Sequence, residues 1–362
     1  MKPICQADQL VVSVAAATRR EWLGAAACAL FATSAAKAQD NKAVTIAPQV
    51  WQETRTTSRR LLDQSRDSFE RGLMPLADHL DQLAVATNLS MRLAGATQQR
   101  EVQRETQARL VRQLEGVAAQ LERFQQPASI GWESDVLLAK FSLADAQARL
   151  AALDAKPELT ASIQQRAAEF ARQHWAKRLD DSGIGHASPL QIWRATSLLN
   201  SAEGRPAGTN RENLRQAIDA TDRWNFLDAG IGRNDLRQAF QYELARMDLR
   251  ESKPGTEVFA ASAQRAESLL VKLHETTMQY QSQGTASLYD VATTWRERSE
   301  LHSHLQSASE DFVPKTWQQR RTADFRSLQR IATNTTDRRG RNAADTTYVE
   351  LLALAEQTVD VR

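Results

Sequence analysis

Cysteine is nearly absent from these 362 residues, and both examples, Cys5 and Cys28, fall in the first forty. The rest of the chain therefore offers no disulfide, no thiolate metal ligand and no cysteine nucleophile. Glycine and proline are also scarce, at 14 and 9, and aromatics make up 6% of the chain. That shortage of turn formers and strand formers excludes a sandwich or a barrel rich in tight hairpins, and points to helices. No apolar run approaches the roughly 20 residues that a spanning helix needs. Nor is one sign of charge in excess: 46 basic residues face 44 acidic ones, interleaved along the chain, with no basic cluster of the kind a nucleic-acid surface requires. The short run Arg338-Arg339 with Arg341 reads as a solvated loop.

What is present begins with an export pattern. Arg19-Arg20 precede an apolar run from Trp22 to Phe31, and Ala36-Lys37-Ala38 forms an A-x-A cleavage site. Residues 1–38 are thus expected to be a signal peptide cut after Ala38, of the twin-arginine type suggested by "TRREWL" or of the ordinary secretory type. The expected destination is periplasmic or otherwise outside the cytoplasm. Cleavage removes Lys2, Arg19, Arg20 and Lys37 with Asp8 and Glu21, and leaves 42 residues of each sign.

Residues 39–362 read as one domain built from a repeated unit. "GLMPLADHLDQL" sets Asp78 six residues after Gly72; "GHASPLQIWRA" sets Gln191 six after Gly185; "GTASLYDVATTW" sets Asp290 six after Gly284. Asp235 follows Gly230 by five, and Asp135 follows Gly131 by four. These anchors, with Asp345, are spaced by 57, 56, 44, 55 and 55 residues, giving about six units.

Each unit reads as a helical hairpin. Before a glycine, Leu110, Leu114, Val117, Leu121 and Phe124 step by 4, 3, 4 and 3. After an anchor, Val136, Ala139, Leu143, Ala146, Leu150 and Leu153 do the same, a heptad seam that buries one stripe against a partner helix. The glycine supplies a positive φ at the end of one helix, and the anchor, with Ser134 or Asn234 before it, is placed to cap the next. Breakers at Gly95, Lys156-Pro157, 203–208, 252–255 and Pro314 end the return helices. The expected fold is all-α: an up-and-down array of long antiparallel helical hairpins with coiled-coil-like seams.

The segments "ESDVLLAKFSLADAQARL" and "YQSQGTASLYDVATTWRERSEL" resemble the tip turn of the outer-membrane efflux (TolC) family, with Gly284, Ser287, Asp290 and Val291 on the matching positions. The resemblance covers the tip turns and their flanking seams. In that family the turn lies at the periplasmic end of a helical tunnel and meets adaptor proteins, so the resemblance implies an efflux-channel component that forms or docks on such a tunnel. The chain departs from the family in two ways. It carries no alternating strand of the roughly 9 to 11 residues a barrel needs, and it has five or six tips where the family has two.

Catalytic patterns are few. Among the six histidines only His302 and His304 are close in sequence, and on a helix they point to different faces, which disfavours a metal pair. "LHETTMQY" has the His-Glu of a zincin but Met278 where the second histidine belongs. Asp180-Asp181 and Glu310-Asp311 read as solvated acidic pairs, and "LDAGIGRND" lacks the acidic pattern of a calcium loop. No phosphate loop, dinucleotide fingerprint or nucleophile elbow is found.

The reading is a non-enzymatic binding or scaffold component of the cell envelope, without a cofactor, taking an envelope protein partner or a second copy. It involves no nucleic acid, and a membrane only through a partner or through the efflux reading. The third alternative is a hydrolase whose histidines and acids converge on one pocket. Candidate partner-binding residues are those of the tips: Gly284, Ser287, Asp290 and Trp295; Gly131, Trp132 and Asp135; then Gly72, Asp78, Gly185, Trp193, Gly230 and Asp235. Their tryptophans either pack hairpin ends together or present an exposed recognition ring.

Overall fold

The computed structural model describes residues 48–74, 76–96, 99–123, 132–183, 189–204, 211–212, 214–215, 231–284, 286–308, 312–339 and 343–359. The expected leader and the tip glycines Gly131, Gly185 and Gly230 lie outside the described residues. Among those described the chain is all-α and contains no strand. No described helix is long and apolar enough to cross a membrane.

The helices gather into two compact units. The first holds α1 (Pro48–Glu70), α2 (Leu76–Ala96), α3 (Arg100–Arg123), α4 (Trp132–Leu153), α5 (Pro157–Gly183) and α6 (Pro189–Ala202). The second holds α7 (Ile231–Glu251), α8 (Glu257–Ser282), α9 (Leu288–Ala308), α10 (Lys315–Arg339) and α11 (Ala343–Val359). Helices begin at the proline and glycine signals: α5, α8 and α10 start just past Lys156, Gly255 and Pro314, whereas Gly95 falls inside the last turn of α2 and α3 starts at Arg100.

In the first unit each helix packs on its sequence neighbours. Arg104 of α3 meets Asp154 past the end of α4, whereas Trp132 at the start of α4 donates its Nε1–H to the Leu121 carbonyl near the end of α3, so the two run antiparallel. The seam residues of α4 show why one stripe is not enough. Of the seam, Val136, Ala139 and Ala146 are buried while Leu143, Leu150 and Leu153 are half-buried, and Ala144, Ala148 and Ala151 are buried outside it, because α4 is flanked by both α3 and α5. Small side chains on the second face let two helices approach a third.

The second unit departs from serial packing. α9 touches α8, α10 and α11, and α10 and α11 also touch each other. Pairings such as Tyr289 with Tyr348 and Trp295 with Phe325 set α11 parallel and α10 antiparallel to α9. All twelve residues from Leu288 to Ser299 are buried.

Candidate functional site

The tip turn at 283–290 is built by local hydrogen bonds. Gly284 adopts φ 75°, the left-handed conformation that ends α8. Ser287 then caps α9: its N–H and its hydroxyl both donate to Oδ2 of Asp290, at 2.7 and 2.8 Å, and its Oγ accepts the Asp290 N–H at 3.1 Å. This reciprocal pair is a capping box with aspartate in the acidic position. The anchor is therefore the third residue of the helix and not the cap itself, and Asp78 and Asp345 occupy the same third position in α2 and α11. Ser134 is not a cap either. It lies inside α4, fully buried, with its Oγ 3.0 Å from Nδ1 of His174.

The remaining tip candidates divide between core and surface. Asp290 and Trp295 are 1% and 2% exposed, and the Trp295 indole donates to the Arg321 carbonyl at 3.1 Å while stacking on Phe325. Asp78 is buried; Trp132 and Asp135 are half-buried, Asp135 lying 3.5 Å from Arg178. Trp193 and Asp235 fall within α6 and α7. What faces outward is the turn itself: Gly72, with φ 69°, Gly284, and Leu73, which is 67% exposed.

Beneath the turns lies polar chemistry that the heptad reading passes over. Three buried histidines meet a hydroxyl on the neighbouring helix through Nδ1: His79 with Ser65 at 2.7 Å, His174 with Ser134, and His274 with Thr294 at 3.0 Å. Each is pushed down to about 4, in every case first by burial; Arg66 adds to the effect at His79 and Arg178 at His174.

α9 carries the densest cluster. Its seam runs Leu288, Val291, Trp295, Arg298, His302, Leu305, stepping by 3, 4, 3, 4 and 3, with two polar residues on positions that the pattern reserves for apolar ones. That interruption is the signal by which the cluster is readable. Arg298, 1% exposed, reaches Oε1 of Glu267 through Nε and Nη2, at 2.8 and 2.7 Å, and Oδ2 of Asp324 through Nη1. Nε2 of His302 lies 2.8 Å from the other Glu267 oxygen. Burial alone raises the Glu267 carboxyl, but the bonds from His302 and Arg298 bring it below its usual value. Arg296 donates to the Tyr348 hydroxyl at 2.6 Å, and Ser299 donates to Glu356 of α11.

Glu297 is the exception. It is 2% exposed, and among the described residues neither of its oxygens has a hydrogen-bond partner. Burial raises its pKa to about 8, with Arg246 opposing and Glu243 adding to the rise, so the carboxyl is largely neutral at pH 7. His302 is buried and His304 exposed, and among the described residues no group of three or more His, Cys, Asp or Glu side chains is placed to hold a metal.

No protein-family model matches the sequence, and no curated protein matches it.

Proposed function

We propose that the chain is a non-enzymatic scaffold of the cell envelope that binds its partner through the exposed tip turns. The observation that carries this reading is the division of the tip motif. Its capping and aromatic residues, Asp290 and Trp295, are consumed in holding helix ends, whereas Gly72, Leu73 and Gly284 face outward. Partner contact then falls to the turns, which antiparallel packing places at helix ends. The histidines that a hydrolase would use support the same conclusion, since His79, His174 and His274 each sit buried against a different helix pair.

Light scattering on residues 39–362, purified without detergent, tests the reading. A monodisperse monomer or dimer is the expected result. A trimeric or larger ring, or material recovered only in detergent, would overturn it in favour of a tunnel component of the efflux type that the tip motif resembles.

A further inference from the structure

Between α1, α2 and α3 lies a narrow cleft of about 30 Å³ that opens to solvent. Arg55 and Arg59, one turn apart on α1, share it with Arg109 of α3, and Glu105 is the one acidic side chain in its lining. Glu105 stands 3.5 Å from Arg109 and 4.0 Å from Arg55, so one carboxylate serves two guanidinium groups. Arg59 makes no ion pair among the described residues. Like charges gathered on one face repel unless something negative answers them.

A second observation lies at the base of the cleft. Ser58 lines it, is 3% exposed, and its Oγ has no hydrogen-bond partner among the described residues. A buried hydroxyl left without a partner is costly, and such groups in a folded protein call for an explanation, a bound ion among them. Arg109 shows the same imbalance: burial first, and then the charges of Arg59, Arg55 and Arg112, hold it below the usual guanidinium value against the pull of Glu105.

We propose that this cleft binds a phosphate-class oxyanion, gripped between Arg59 of α1 and Arg109 of α3 with the Ser58 hydroxyl donating from below. Guanidinium groups suit the task because their forked N–H donors match tetrahedral oxyanions in pairs. Bound there, the anion bridges α1 to α3 and relieves the repulsion among the arginines. The same chemistry is offered by free phosphate or by a phosphate headgroup at a lipid surface.

Calorimetric titration of the purified full chain with inorganic phosphate, at constant ionic strength, tests the proposal beside sedimentation with phosphatidylglycerol and phosphatidylcholine vesicles. Saturable phosphate binding is expected, weakened tenfold or more by Arg59→Gln and also weakened by Ser58→Ala. Arg59 is exposed and makes no ion pair among the described residues, so Arg59→Gln is expected to leave helix content and unfolding midpoint unchanged or slightly raised. Binding of the acidic vesicles alone, lost in Arg59→Gln, would assign the same site to a headgroup. Absence of Arg59-dependent binding in both arms, or phosphate binding that Arg59→Gln leaves intact, would overturn it.

Discussion

Arg298 of α9 and Glu267 of α8 meet 2.7 Å apart inside the second unit, 1% and 5% exposed. A buried pair of this kind is costly to break from one side, because the survivor is left as an unanswered charge. Arg298→Met is expected to destabilise the protein by about 3 to 5 kcal/mol. Adding Glu267→Leu to it should restore part of that loss. Unfolding midpoints in denaturant for the single and double variants check this; a double variant no better than Arg298→Met would show that the pair's worth lies in packing and not in charge.

Glu297 makes a prediction about pH. Its pKa stands near 8 in the folded chain against an ordinary 4.5, so the native state keeps a proton that the unfolded state releases. Its contribution is fully present below about pH 4.5 and is lost progressively as pH rises to about 8, at up to about 1.4 kcal/mol per pH unit. Glu297→Gln, which keeps the neutral shape, should gain stability over the parent between pH 5 and 8 and hold a constant gain above that. Parallel denaturation at pH 5, 7 and 9 measures the difference.

The histidines work in the opposite sense. His174 titrates near 4 when folded and near 6.5 when unfolded, so the unfolded chain takes up protons first. Its stabilising share is intact above about pH 6.5 and disappears as pH falls toward 4. His174→Gln should lose less stability than the parent between pH 6.5 and 4.5, and the difference should be absent at pH 8. An identical acid profile in the two proteins would contradict the assignment.

At the turns the effects are smaller and separable. Asp290→Ala removes the acidic half of the Ser287 cap and should cost about 1 kcal/mol. Gly284→Ala meets no atom within 4 Å of an added Cβ, so its cost, about 1 to 2 kcal/mol, comes from φ 75° alone. The turn between α4 and α5 sets Ala155 at φ 54°, and there Ala155→Gly should raise stability by about 1 kcal/mol. Thermal midpoints of the three variants test these signs.

Helices were legible because their punctuation is local: prolines and glycines stop them, and a 3-4 seam says which side is buried. The tip motif was legible as a turn for the same reason, down to Ser287 and Asp290, although the division of roles between cap and third residue needed the backbone. Burial was not legible where more than one neighbour acts. In "TTWRERSEL" the charged residues carry no local mark of burial, yet α8, α10 and α11 close around them. The partners that make its burial tolerable, Tyr348 and Glu356, lie 52 and 57 residues further along the chain. The grouping of Ser58, Arg59 and Arg109 is not legible in the sequence either, since 50 residues separate the two arginines and neither belongs to a motif.

The polar character of α9 also bears on how the chain is made. It is synthesised before α10 and α11, and through that interval much of its circumference has nothing to pack against. An ordinary core helix in that position would offer the cell a naked apolar flank, inviting association with other chains. Arg296, Arg298 and Ser299 instead remain hydrated until Tyr348, Asp324 and Glu356 arrive to replace the water. Tyr289 and Trp295 still await Tyr348 and Phe325, so these polar side chains shorten the apolar flank of the unfinished unit and do not abolish it.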